Sequence, residues 1–192
     1  MAIVVLDFSM SLDGFVAGPN VSAKLPMGED GMRLHEWLFA AEPNAVDAEA
    51  GRMMRETTGA VVLGRRTFDV GVEEWNDTPF PVPCFVVTHN PLEERIEKSG
   101  TFTFVNDLEH ALHRAKAAAG EKHVRVMGVE VARQSLEAGF VDEIGIQLVP
   151  VLLGDGLRLF ENLGTEHIEL ERESVLESPQ VTHLRFRVVQ ER

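Results

Sequence analysis

Short apolar runs alternate with stretches in which apolar residues recur every three or four positions, almost from one end of the 192-residue chain to the other. Runs of β-branched and apolar residues suit strands buried on both faces, and the wider spacing suits helices with a single apolar stripe. Runs at 3–8, 60–63, 84–88, 101–105 and 123–127 predict strands, and residues 143–149 predict another with Ile144, Ile146 and Leu148 on one face. Residues 168–176 and 181–189 flank Ser178-Pro179 and predict a long antiparallel hairpin. Helical spacing covers residues 32–41 and 46–57, parted by Glu42-Pro43-Asn44, and a short helix starts at Thr67. Asn106 followed by Glu109 reads as a capping box for a helix with Leu108, Ala111, Leu112 and Ala115 on one face, stopped by Gly120. Residues 131–138 form a last helix, ended by Gly139. The count is about eight strands and four or five helices, an α/β pattern with a mostly parallel start and an antiparallel end. Residues 71–83 read as irregular. Residues 9–31 are rich in Gly, Pro, Asn and Ser, and so long a loop predicts a lid or binding segment.

Composition narrows the function. With 44% apolar residues the chain fits one sizeable domain spanning residues 1–192. Eighteen basic against 31 acidic side chains give a net charge of −13, which argues against nucleic acid or an anionic membrane as partner. The one cysteine, Cys84, sits in an apolar run, so a disulfide framework and a cysteine zinc site are excluded within the chain and a buried thiol is expected. No apolar run approaches membrane-spanning length and the first residues lack the features of a signal peptide, so a cytoplasmic protein is expected. His35, His110, His113, His123, His167 and His183 show no paired ligand spacing, so no metal is expected. The dinucleotide fingerprint GxGxxG, the phosphate loop GxxxxGK[ST] and the nucleophile elbow GxSxG are all absent.

Against that acidic background, one segment stands out. The run Ala60-Val61-Val62-Leu63 stops at Gly64, and Arg65, Arg66 and Thr67 follow at once. A strand that turns into a helix at glycine offers free backbone N–H groups, and two guanidiniums there suit a phosphate. The plainer alternative is a strand–helix turn with two solvated arginines. Thr88-His89-Asn90 and Gly128-Val129-Glu130 also follow apolar strands. Ligands of open α/β sheets bind outside the carboxyl ends of parallel strands, so the three segments together predict a site for a phosphate-rich ligand such as a dinucleotide.

With these residues in place the chain resembles the dihydrofolate reductase-like fold, and within it the reductase domain of the bacterial riboflavin-biosynthesis deaminase/reductase. The segments that carry the resemblance are 11–18 (SLDGFVAG), 62–68 (VLGRRTF), 85–88 (FVVT), 132–143 (ARQSLEAGFVDE) and 150–156 (PVLLGDG). The resemblance implies a three-layer α/β domain with a mixed, mostly parallel central sheet. It implies NADPH as cofactor, with Gly64, Arg65, Arg66 and Thr67 at the pyrophosphate and 2′-phosphate, Thr88 and His89 near the adenosine, and Val16 at the nicotinamide. Gly128, Val129 and Glu130 match the pyrophosphate turn, where the family carries a glycine pair and this chain has a single glycine. Leu34 stands where dihydrofolate reductases place an acid, and Met127 where the riboflavin-pathway reductases place a glutamate. No catalytic residue is therefore assigned. Asp13, Trp37 and Gln147 are the substrate-side candidates, against the plainer readings of a turn aspartate, a core tryptophan and a strand-face glutamine. The implied activity is NADPH-dependent reduction of a small pteridine- or aminopyrimidine-like heterocycle, the implied assembly a homodimer. The alternative is a non-catalytic protein that keeps the fold and binds a nucleotide or metabolite.

Overall fold

A computed structural model describes residues 2–75, 80–90, 95–96, 101–164 and 167–189. The first apolar run forms β1 (Val4–Ser11), three residues longer than its apolar part because Ser9 and Ser11 are buried with it. The segment after it is not all loop. It holds a short strand β2 (Phe15–Ala17) and ends in a 3-10 turn, Gly31–His35, that runs into the four-residue helix α1 (Glu36–Phe39). Those two pieces replace the continuous helix expected over 32–41. Helix α2 (Ala45–Thr57) starts where the Asn44 side chain accepts the Val46 N–H, as an N-cap should.

Strand β3 (Thr58–Gly64) passes straight into α3 (Arg65–Trp75), which begins two residues before Thr67 and occupies the first part of the stretch read as irregular. Residues 76–79 of that stretch lie outside the described residues. Strands β4 (Cys84–Val87), β5 (Arg95–Ile96) and β6 (Thr101–Val105) follow. Helix α4 (Leu108–Ala119) is capped by Asp107, whose carboxylate accepts from His110 N at 2.7 Å. Asn106 is therefore not the cap, and the Glu109 capping box does not form; Asp107 is the stronger candidate once the backbone turns one residue later. Strand β7 (His123–Met127), helix α5 (Val129–Glu137), β8 (Glu143–Val149), β9 (Leu157–Arg158), β10 (Leu170–Glu177) and β11 (Thr182–Val188) complete the chain. Helix α5 starts at Val129 rather than at Val131, because Gly128 itself is the N-cap.

Nine strands form one sheet in the order β10-β11-β8-β1-β7-β3-β4-β6-β5, and β2 pairs with β9 apart from it. The central strands from β8 to β6 are parallel, while β5, β11 and β10 run antiparallel to their neighbours. The expected mixed, mostly parallel sheet with an antiparallel hairpin at its end is the observed one. Alternation sorts the strand side chains onto two faces. Val4 and Leu6 of β1, Val62 of β3, Val126 of β7 and Ile144 of β8 pack with Leu112 and Ala115 of α4 and Ala132 of α5. On the other face Phe68 of α3 packs on Val61, Leu63, Val86 and Phe102, while Leu34 and Trp37 pack on Val149 and Val181. Helices on both faces of the sheet give three layers. Among the described residues no helix is long and apolar enough to cross a membrane.

Between the two clusters on that second face the sheet is polar. Asp7 and Arg125, at 2% and 4% side-chain exposure, form an ion pair at 2.7 Å. Arg125 Nε donates to Thr58 Oγ1 at 3.0 Å, and Gln147 Nε2 donates to the second Asp7 oxygen. Gly145 makes room for this carboxylate, because a Cβ there would lie 2.8 Å from Asp7 Oδ1.

Candidate active site

Because β7, β3 and β4 are adjacent and parallel, their carboxyl ends line one stretch of sheet edge. Gly128-Val129-Glu130, Gly64-Arg65-Arg66-Thr67 and Thr88-His89 therefore lie side by side, and the edge continues through the end of β1 to Asp13. Sequence order alone could not show this, since β7 enters the sheet between β1 and β3 after β4 and β6 have been laid down.

Two helices start at this edge. Helix α3 opens at Arg65 and α5 at Val129, each presenting first-turn N–H groups with no acceptor within the helix and the positive end of its dipole. They meet through Thr67 and Gly128: a Cβ on Gly128 would lie 2.3 Å from Thr67 Oγ1. Gly128 also has φ 92°, a left-handed conformation open to glycine, so this position serves both the turn and the close approach. Gly64 is tight as well, with Val131 Cγ2 3.1 Å from where its Cβ would be. The missing second glycine has a structural answer. Val129 packs against the apolar core beneath α5. Glu130 is exposed, and its carboxylate accepts from Gln134 Nε2 at 2.8 Å along the helix.

The two arginines are not equivalent. Arg65 is half-buried and its Nε donates to Asp69 at 2.8 Å. Arg66 is exposed and forms no hydrogen bond or ion pair among the described residues. Thr88 is buried, its N–H bonded to Val105 O and its hydroxyl accepting from Asn90 N at 3.2 Å, whereas His89 is exposed. Val16 is buried in β2 as part of the main core.

The substrate-side candidates take distinct places. Asp13 lies just past β1, where its carboxylate accepts the N–H groups of Leu153 (3.1 Å) and Gly154 (2.8 Å). A hydrogen bond from Ser11 and these two backbone donors hold its carboxyl down at about 2. Trp37 is buried at 2% exposure and its Nε1 donates to Ser9 Oγ at 3.0 Å. Gln147 faces Asp7 on the polar part of the sheet. Trp37 also makes a T-shaped ring contact with His183 at 5.0 Å, and His183 Nε2 lies 2.8 Å from Asp47 Oδ1, while the buried Asp47 Oδ2 has no hydrogen-bond partner among the described residues. The sequence offered no signal for this Ser9–Trp37–His183–Asp47 chain, because its members come from four elements with no motif spacing. No group of His, Cys, Asp and Glu that could hold a metal occurs among the described residues. Cys84 is buried, as expected. Leu34 is fully buried among apolar neighbours.

The architecture is that of the dihydrofolate reductase-like fold. It is similar to a dihydrofolate reductase from Enterococcus faecalis complexed with NADP(H), with TM-score 0.57 and 14% identity over 98% of this chain and 97% of that one. The pattern of the RibD C-terminal domain family matches residues 2–184, and the chain belongs to that family. A putative riboflavin biosynthesis protein from Shewanella sp. PV-4 superposes with TM-score 0.74 at 23% identity, covering 99% of this chain and 100% of that one. The YwjB protein of Bacillus subtilis is 28% identical over 168 residues, 84% of each chain. A deaminase/5-amino-6-(5-phosphoribosylamino)uracil reductase from Thermotoga maritima has TM-score 0.63 at 13% identity, and this chain spans 57% of its length.

Proposed function

We propose that the protein is an NADPH-dependent reductase of a small heterocycle of the pteridine or aminopyrimidine type. The observation that carries this reading is the line of three adjacent strand ends, with two helix N-termini and Arg66, unengaged among the described residues, along one sheet edge. The residues fit a dinucleotide: Gly128 and Gly64 carry no side chain at the turn, Val129 packs against the core, and the first N–H groups of α3 and α5 have no acceptor within their own helices. Family membership and the likeness to a dihydrofolate reductase complexed with NADP(H) support the same cofactor.

In this reading Arg66 reads the 2′-phosphate, while Arg65, held by Asp69, supports the first turn of α3. Thr88 and His89 border the adenosine end, and Val16 and Asp13 mark the nicotinamide end. NADPH supplies the hydride when bound; the protein supplies orientation and a dry, fixed surface. Asp13, ionised far below neutral pH, acts there only as an acceptor. A homodimer would use β10, the edge strand of the C-terminal hairpin at one end of the sheet.

The test is NADPH consumption with a panel of pterins, aminopyrimidines and quinones. Oxidation with at least one member of the panel is expected. Saturable NADPH binding with no oxidation across the panel would favour the second reading, a non-catalytic nucleotide-binding protein, which the apolar Leu34 and Met127 at the family's acid positions support.

A further inference from the structure

Residues 151–161, which follow β8, are fastened on two sides. On one side the strap joins the segment after β1. Leu12 N donates to Val151 O at 2.9 Å, the Asp13 carboxylate accepts from Leu153 and Gly154, and Leu159 N donates to Gly14 O at 3.4 Å. Arg158 returns the contact, with Nη1 2.6 Å from Asp13 O and its guanidinium stacked 4.2 Å over the centre of the Phe15 ring. On the other side the strap is held by α5 through one side chain. Arg133 Nε donates to Leu159 O at 3.1 Å, and its Nη2 donates to Arg158 O and to Glu161 at 3.1 Å. Arg133 is 16% exposed and lies one turn along the helix whose first residue is Val129.

We propose that Arg133 is a positioning residue: working against Asp13 across the strap, it fixes residues 12–17 relative to the amino end of α5. This inference rests on the reading of that edge as an NADPH site, because the two ends of the dinucleotide would be held by these two segments. A planar guanidinium with three acceptors sets distance and angle together, which a lysine ammonium does not. Removing it takes this donor from two carbonyls and frees the strap from α5, so that the strap's remaining bonds to Asp13 and Gly14 open more often.

The experiment compares the full-length protein with Arg133→Met and Arg133→Lys, reading amide hydrogen exchange and NADPH affinity in parallel. In Arg133→Met the amides of Leu153, Gly154 and Leu159 are expected to exchange about tenfold faster, with Val62 and Val126 in the central sheet unchanged. The NADPH dissociation constant is expected to rise about tenfold. Arg133→Lys, which keeps a donor for Glu161 and one carbonyl, should recover part of both and guards against a variant that simply folds poorly. Faster strap exchange with wild-type NADPH affinity overturns the positioning role. Unchanged strap exchange overturns the clasp itself. A wild-type protein that binds no NADPH, with a strap that still loosens in Arg133→Met, refutes the cofactor reading while supporting the clasp.

Discussion

Replacing Arg125 by methionine removes the one strong partner of a carboxylate buried in the middle of the sheet. Asp7 and Arg125 are 2% and 4% exposed and 2.7 Å apart, so neither charge is served by water. Breaking such a pair from one side costs about 3–5 kcal/mol, because the charge left behind is uncompensated. Gln147 still donates to Asp7 and Arg185 stands 3.7 Å from it, which places the cost toward the lower end. For a chain of this size the melting temperature should fall by roughly 6–20 °C. The pH dependence sharpens the test. Burial raises the Asp7 pKa, but the charge and hydrogen bond of Arg125, with help from Gln147 and Arg185, outweigh it and leave the folded value below the ordinary 3.8. A depressed folded pKa gives stability that is complete above 3.8 and is lost as pH falls through the folded value. In Arg125→Met burial prevails, the folded value moves above the unfolded one, and acidification from neutral pH toward 4 should narrow the gap to wild type (roughly the reverse slope). Urea unfolding at a series of pH values reads both effects. The double variant Asp7→Asn/Arg125→Met should regain much of the loss, since no charge is then stranded. A loss below about 1 kcal/mol in Arg125→Met, or an equal loss in the double variant, would refute the reasoning.

Gly128→Ala, at φ 92° and with its Cβ 2.3 Å from Thr67 Oγ1, should cost about 1–3 kcal/mol in denaturant unfolding; adding Thr67→Ala should relieve the clash but not the backbone strain. Trp37→Phe strips Ser9 of its donor at 3.0 Å and should cost about 1–2 kcal/mol by the same assay. The Asp13 carboxyl, at about 2 in the folded protein, should hold the Leu153 and Gly154 amides fully above pH 3.8 and release them as pH falls through about 2. Hydrogen exchange of Asp13→Asn should lack that pH dependence.

Much of the sheet was legible because buried parallel strands read as apolar runs, and each run ends where a turn residue or a charge begins. The three strand ends could be named for the same reason, since each begins at the glycine or threonine that closes such a run. Their adjacency required the crossover of β7 to a place between β1 and β3, a tertiary fact. Strands β2 and β9 were invisible because they are three and two residues long and are specified by Asp13, Arg158 and Arg133 rather than by a period of two. The first two residues of α3, Arg65 and Arg66, carry no apolar stripe, so the helical spacing begins only at Thr67, and the Asn106-Asp107 pair offers two good caps between which only the backbone chooses. Asp7 is one polar residue within the apolar run 3–8. Its partners Arg125 and Gln147 lie 118 and 140 residues away, so nothing local announced a buried ion pair.

The most direct test is a paired equilibrium titration of the wild-type protein and Arg66→Ala with NADPH and NADH. The account predicts saturable NADPH binding to the wild type, tighter than NADH, with Arg66→Ala losing most of that preference and Arg65→Ala losing less. No saturable binding at millimolar NADPH, or equal affinity for the two nucleotides in the wild type, would contradict it.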